Sequence, residues 1–90
     1  MTREQLSEYL INALSIEANL AYKAYLEICR RAGYEEFKKR EFVEKYINDD
    51  AFRYEIKSTI FGYTNIGLID RKCSDRISEI TYFRNNILIK

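Results

Sequence analysis

Apolar positions recur at helical spacing along most of this chain. Leu6, Leu10, Ala13 and Leu14 mark one stripe, and Leu20, Ala21, Ala24, Tyr25 and Ile28 continue it, with Lys, Glu and Arg on the other side. Thr2 and Gln5 have the spacing of a capping box, and Gly33 follows "CRRA" where a helix commonly turns left-handed to end. The first third is therefore predicted as one long helix, or as two in tandem divided near Ser15.

After the polar connection "YEEFKKR", helical spacing returns at Phe42, Val43, Tyr46 and Ile47. Asn48, Asp49 and Asp50 then break the pattern. Short polar side chains of this kind accept hydrogen bonds from free helix N–H groups, so they are predicted to cap a further helix over about Ala51 to Asn65. Ile56, Thr59, Ile60 and Tyr63 form its inward stripe. Gly62 lies inside it at a cost of up to about 1 kcal/mol relative to alanine, which predicts close packing against a neighbouring helix in preference to close approach to a phosphate, unless the helix is loose there. A short helix, a tight polar turn and a longer helix make helix-turn-helix order.

Beyond residue 65 the pattern changes. Gly67 ends the third helix, Leu68 and Ile69 begin an extended segment, "RKCSDR" reads as a turn and "ISEITYF" as a strand, with a short third strand at Ile87 to Ile89. The expected fold is α+β, a mainly helical domain ending in a β-hairpin. With no proline to stiffen a linker, residues 1–90 read as one domain with an N-terminal helical extension.

Composition narrows the function classes. An apolar fraction of 47% with 32% charged residues is that of a globular chain. There is no 18-residue apolar run, and "MTREQLSEYL" places charges where a signal peptide needs apolar residues, so a cytoplasmic protein with no membrane partner is expected. Cys29 and Cys73, without any histidine, make neither a zinc quartet nor a disulfide framework. Two reduced thiols are expected, Cys29 buried and Cys73 exposed in the turn. Lack of histidine, of a Gly-rich loop and of a Ser or Cys nucleophile motif argues against an enzyme, and no cofactor or metal is expected. Asn48 to Asp50 can be read as an acidic metal or acid/base pair, but a helix cap needs the same residues.

Charge is uneven along the chain. Over residues 1–36, Arg3, Lys23, Arg30 and Arg31 stand against Glu4, Glu8, Glu17, Glu27, Glu35 and Glu36, a net of −2 that leaves +3 on the remainder. The basic excess accompanies the third helix and the segment after it.

The order of three helices and a hairpin, with "NIGLID" joining them, resembles winged helix-turn-helix DNA-binding domains across residues 16 to 83. A second likeness links "YKAYLEICRRAG", with Tyr22, Tyr25, Cys29 and Gly33 in step, to the winged-helix domain of archaeal replication-origin initiators. The connection from Gly33 to "GLI" is longer here and no ATPase module is expected ahead of it, so this likeness implies the fold type and not the origin-binding function. Small independent winged helices resemble transcriptional regulators of archaea, plasmids or viruses, the last placing the chain in a host cytoplasm.

The resemblance implies sequence-specific binding of double-stranded DNA, the third helix entering a major groove and the hairpin touching the backbone. Arg53, Tyr54, Lys57, Ser58 and Phe61 form the outward face expected to read bases. Arg71, Lys72 and Arg76 form a cationic wing tip. Lys38, Lys39 and Arg40 precede the motif, where they can grip phosphate. A homodimer through the helices between Thr2 and Ala32, with Leu6, Tyr9, Leu10 and Leu14 at the seam, would double the contact. The competing class is a winged-helix protein-interaction module that binds no DNA, since fold does not determine function.

Overall fold

A computed structural model describes residues 2–89, with side chains described through residue 86. Four helices follow one another: α1 (Arg3–Ala32), α2 (Lys39–Asn48), α3 (Asp50–Asn65) and α4 (Arg71–Ile89). Among the described residues there is no strand, so the expected hairpin wing and the α+β class are replaced by an all-helical fold.

α1 is a single helix that rides through Ser15 without a break. At its start Thr2 and Gln5 exchange the expected pair of side-chain to backbone hydrogen bonds, at 3.0 and 3.2 Å. At its end Gly33 takes a φ of 76° and donates its N–H to the carbonyl of Cys29. At 1.5 Å per residue a helix of 30 residues is about 45 Å long, and it accounts for the long dimension of a molecule measuring 45 × 25 × 18 Å. The other three helices all pack against it.

The core lies along the C-terminal half of α1. Ala18, Ala21, Ala24 and Ile28 are buried there against Phe42 and Tyr46 of α2, Ile60 of α3 and Ile77 of α4. Small residues on α1 let the bulky rings of α2 approach closely. The Phe42 ring lies 5.1 Å from that of Tyr22, 5.0 Å from Tyr25 and 5.6 Å from Phe52, in the tilted and edge-on arrangements aromatic quadrupoles favour.

Asp49 alone separates α2 from α3. It caps the C-terminus of the first, and its carboxylate accepts the Phe52 N–H of the second at 3.1 Å. The polar trio at 48–50 is thus used as a corner between helices. Gly62 corrects a second expectation: it is exposed, and a Cβ added there would meet nothing within 4 Å, so no neighbour requires a glycine.

The chain after residue 65 departs most from the reading of the sequence. Gly67 does end α3, at a φ of 77°, and the Leu68 N–H returns to the Tyr63 carbonyl. Leu68 and Ile69 start no strand, and Ile69 instead plugs into the core. Asp70 Oδ1 then accepts the Lys72 N–H at 3.0 Å, opening α4 where a turn was expected. Through "RKCSDRISEITYF" and on to the segment read as a third strand, the backbone is helical to Ile89. Cys73, Ile77, Thr81 and Arg84 explain why: their spacings of four, four and three place all of them on the side facing α1. Arg71, Lys72 and Arg76 are accordingly exposed positions of a helix, and no wing tip exists among the described residues.

Candidate functional site

The outward face expected of α3 is only partly outward. Arg53, Tyr54, Lys57, Ser58 and Phe61 do come together, lining with Asp50 a cleft of about 480 Å³. Tyr54 and Ser58 are exposed and Phe61 is half-buried. The two cations, however, are turned toward the protein. Arg53 donates through Nη1 to the carbonyls of Tyr46 and Ile47, at 2.9 and 3.2 Å, and pairs with Asp50 through Nη2. Its guanidinium satisfies carbonyls left free at the C-terminus of α2 and opposes the negative end of that helix. Lys57 donates to Thr81 Oγ1 on α4 at 2.8 Å.

Beneath Lys57 lies a polar network that the sequence reading did not foresee, centred on the fully buried Glu17 of α1. Its Oε2 accepts the Tyr46 hydroxyl at 2.6 Å, and its Oε1 lies 2.6 Å from Thr81 Oγ1. Arg84 Nη2 reaches both oxygens, at 3.3 and 3.5 Å. Three helices therefore meet on one carboxyl, and α3 joins the network through the bond of Lys57 to Thr81. The Nε of Arg84 is buried and has no hydrogen-bond partner among the described residues. One signal in the sequence pointed here: Glu17 falls in line with Ala21, Ala24 and Ile28, so a charged residue occupies the apolar stripe.

Burial and the bond to Glu17 push the Tyr46 phenol far above its ordinary value of 10.0. Burial pulls Lys57 below 10.5, Glu17 opposing it and Arg84 and Arg53 adding to it. The two groups act oppositely on stability. Above pH 10.0 the unfolded chain releases a proton that folded Tyr46 keeps, so stability is lost as pH rises. Between the lowered value of Lys57 and 10.5 the unfolded chain binds the extra proton, so over that window stability is gained as pH rises. Urea midpoints taken on both sides of pH 10.0 should fall less steeply in Tyr46→Phe than in the parent.

The other cations expected at the site are exposed and lie in two groups beside the same stretch of α1. Tyr22 donates its hydroxyl to the Phe37 carbonyl at 3.0 Å and Tyr25 donates to that of Glu35 at 3.0 Å, placing the start of α2, with Lys38, Lys39 and Arg40, beside this stretch. Cys73 donates through Sγ to the Leu20 carbonyl at 3.1 Å and shares a cleft with Lys23, Ala24 and Glu27, which places the start of α4, with Arg71, Lys72 and Arg76, beside it too. Cys29 is buried, whereas Cys73 is half-buried on α4 and its thiol is pushed up by burial.

A third feature lies toward the N-terminal end of α1. There Tyr9, Asn12, Ala13 and Ile16 form with Ile80 and Phe83 of α4 a predominantly apolar groove of about 390 Å³. Ile16 is 54% exposed and Phe83 62% exposed. Leu6, Leu10 and Leu14, expected at a dimer seam with Tyr9, are each half-buried. No helix among the described residues is long and apolar enough to cross a membrane. No protein-family model, curated protein or solved structure matches the chain.

Proposed function

We propose that the chain is a helical protein-interaction module that works as a homodimer, the α1/α4 groove of each copy receiving the N-terminal half of α1 from the other. The carrying observation is that groove, which leaves Ile16 and Phe83 more than half exposed on adjacent helices. Charge supports a second copy as the occupant. Over Arg3 to Ile16, Glu4 and Glu8 against Arg3 leave one net negative charge, whereas the exposed Arg71, Lys72 and Arg76 of α4 against Asp75 and Glu79 leave one positive, Arg84 being turned inward onto Glu17. A two-fold arrangement opposes these segments twice, as an isologous interface requires.

Light scattering at tens of micromolar should give twice the chain mass. Ile16→Asp and Phe83→Asp should each give a monomer with unchanged helical circular dichroism, because the new carboxylate would be buried unpaired at the seam. A parent that stays monomeric at high micromolar concentration rejects the dimer.

A second reading, binding of double-stranded DNA, keeps support from Lys38, Lys39, Arg40, Arg71, Lys72 and Arg76, which flank the same stretch of α1. It differs from the reading first drawn from the sequence, because Arg53 and Lys57 are engaged internally and the exposed cations can contact phosphate without reading bases. A mobility shift on random duplexes that weakens steeply with salt, and weakens again on replacing Lys38 and Lys39 with alanine, would favour it. Absence of a shift at low salt rejects it while leaving the dimer to its own test.

A further inference from the structure

We propose that the cleft on α3 is a binding site for a phosphate-class oxyanion, held by Arg53 and Lys57 with the Tyr54 and Ser58 hydroxyls at its rim. The charges around the cleft do not balance. Lys57 is flanked by Arg53 and Arg84, and the groups facing it are Glu17 from α1, Tyr46 from α2, Asp50 and Arg53 from α3, and Thr81 and Arg84 from α4. Three cations thus stand against two carboxyls. Glu17 is wholly buried and already meets Arg84, while the Asp50 side chain is 91% exposed and so offsets little. Low local dielectric makes an uncompensated cation costly, and a bound anion relieves that cost.

Donors for such an anion are already in place. Lys57 spends one of its three N–H bonds on Thr81 among the described residues, so two can turn into the cleft. The Nη1 of Arg53 is committed to the α2 carbonyls, but Nε and one hydrogen of Nη2 remain. Anchoring at one end holds the guanidinium still, which reduces the entropy lost when it grips a ligand. Arg53 with Lys57, and Tyr54 with Ser58, are each one helical turn apart, so four donor side chains border the same 480 Å³. Phe61 lines the far end and can cover an apolar substituent on the phosphate.

Inorganic phosphate titrated into the full chain at low ionic strength, followed by amide NMR shifts, is the test. Saturable shifts confined to residues 50–61 and their α4 neighbours are expected. Lys57→Gln should weaken binding by about tenfold or more, the loss of one charge-assisted hydrogen bond. Asp50→Asn removes the carboxylate that competes for Arg53 and should tighten binding severalfold. That surface change decides the matter if the Lys57 variant fails to fold. Shifts that do not saturate, that chloride reproduces, or that neither substitution alters overturn the proposal.

Discussion

Replacing Phe42 with alanine should destabilise the domain by about 3 to 5 kcal/mol, the range for removing a buried ring. Phe42 is wholly buried and is the hub of the aromatic cluster, touching Tyr22 and Tyr25 on α1 and Phe52 on α3. The hole cannot close by simple collapse, because both tyrosines are tethered through their hydroxyls to the 34–38 connection. Small domains hold roughly 5 to 15 kcal/mol in all. Chemical denaturation of Phe42→Ala should show a midpoint shifted far toward zero denaturant, with Phe42→Leu intermediate. A shift of under about 1 kcal/mol would mean that the rings do not pack as described.

Glu17→Ala should be comparably severe, again by about 3 to 5 kcal/mol, but for a different reason. The substitution strands the Tyr46 hydroxyl, Thr81 and the Arg84 guanidinium inside the protein without their acceptor. Removing both ends of the pair should then cost less than removing one. Glu17→Leu combined with Arg84→Leu is expected to recover part of the stability lost in Glu17→Leu alone, because the Arg84 charge is no longer orphaned while the Tyr46 hydroxyl still lacks its acceptor. The double-mutant cycle measures this coupling directly, and additive effects would show that Glu17 and Arg84 do not depend on each other.

These two residues also mark what the sequence made legible. Phe42 lies in a run whose apolar spacing and acidic corner predicted α2 and α3 to within a residue or two. The capping box at Thr2 and the left-handed Gly33 likewise located both ends of α1, since local hydrogen bonds decide those boundaries. α4 escaped because half of its inward side is polar: Ser74, Thr81 and Arg84 face the protein beside Ile77, so the helical period was hidden from a search for apolar residues. What remained visible was β-branched content, which reads as strand. The same blindness concealed Glu17, whose burial is intelligible only once α2 and α4 supply its partners. At the proposed anion cleft the five α3 residues were correctly grouped on one face. The direction of Arg53 and Lys57 was not, because the groups that hold them, the end of α2 and Thr81, lie on other helices.

Burial of Glu17 also bears on how the chain is made. Its α4 partners, Thr81 and Arg84, lie 64 and 67 residues downstream. At synthesis rates of about 5 to 20 residues per second, roughly 3 to 13 seconds separate the emergence of the carboxyl from that of its last partner. During that interval α1 lacks its α4 cover, and a charge in the middle of its apolar stripe disfavours pairing of that stripe with neighbouring chains. One side chain thus serves as a gatekeeper while the protein is being born and as its keystone afterwards.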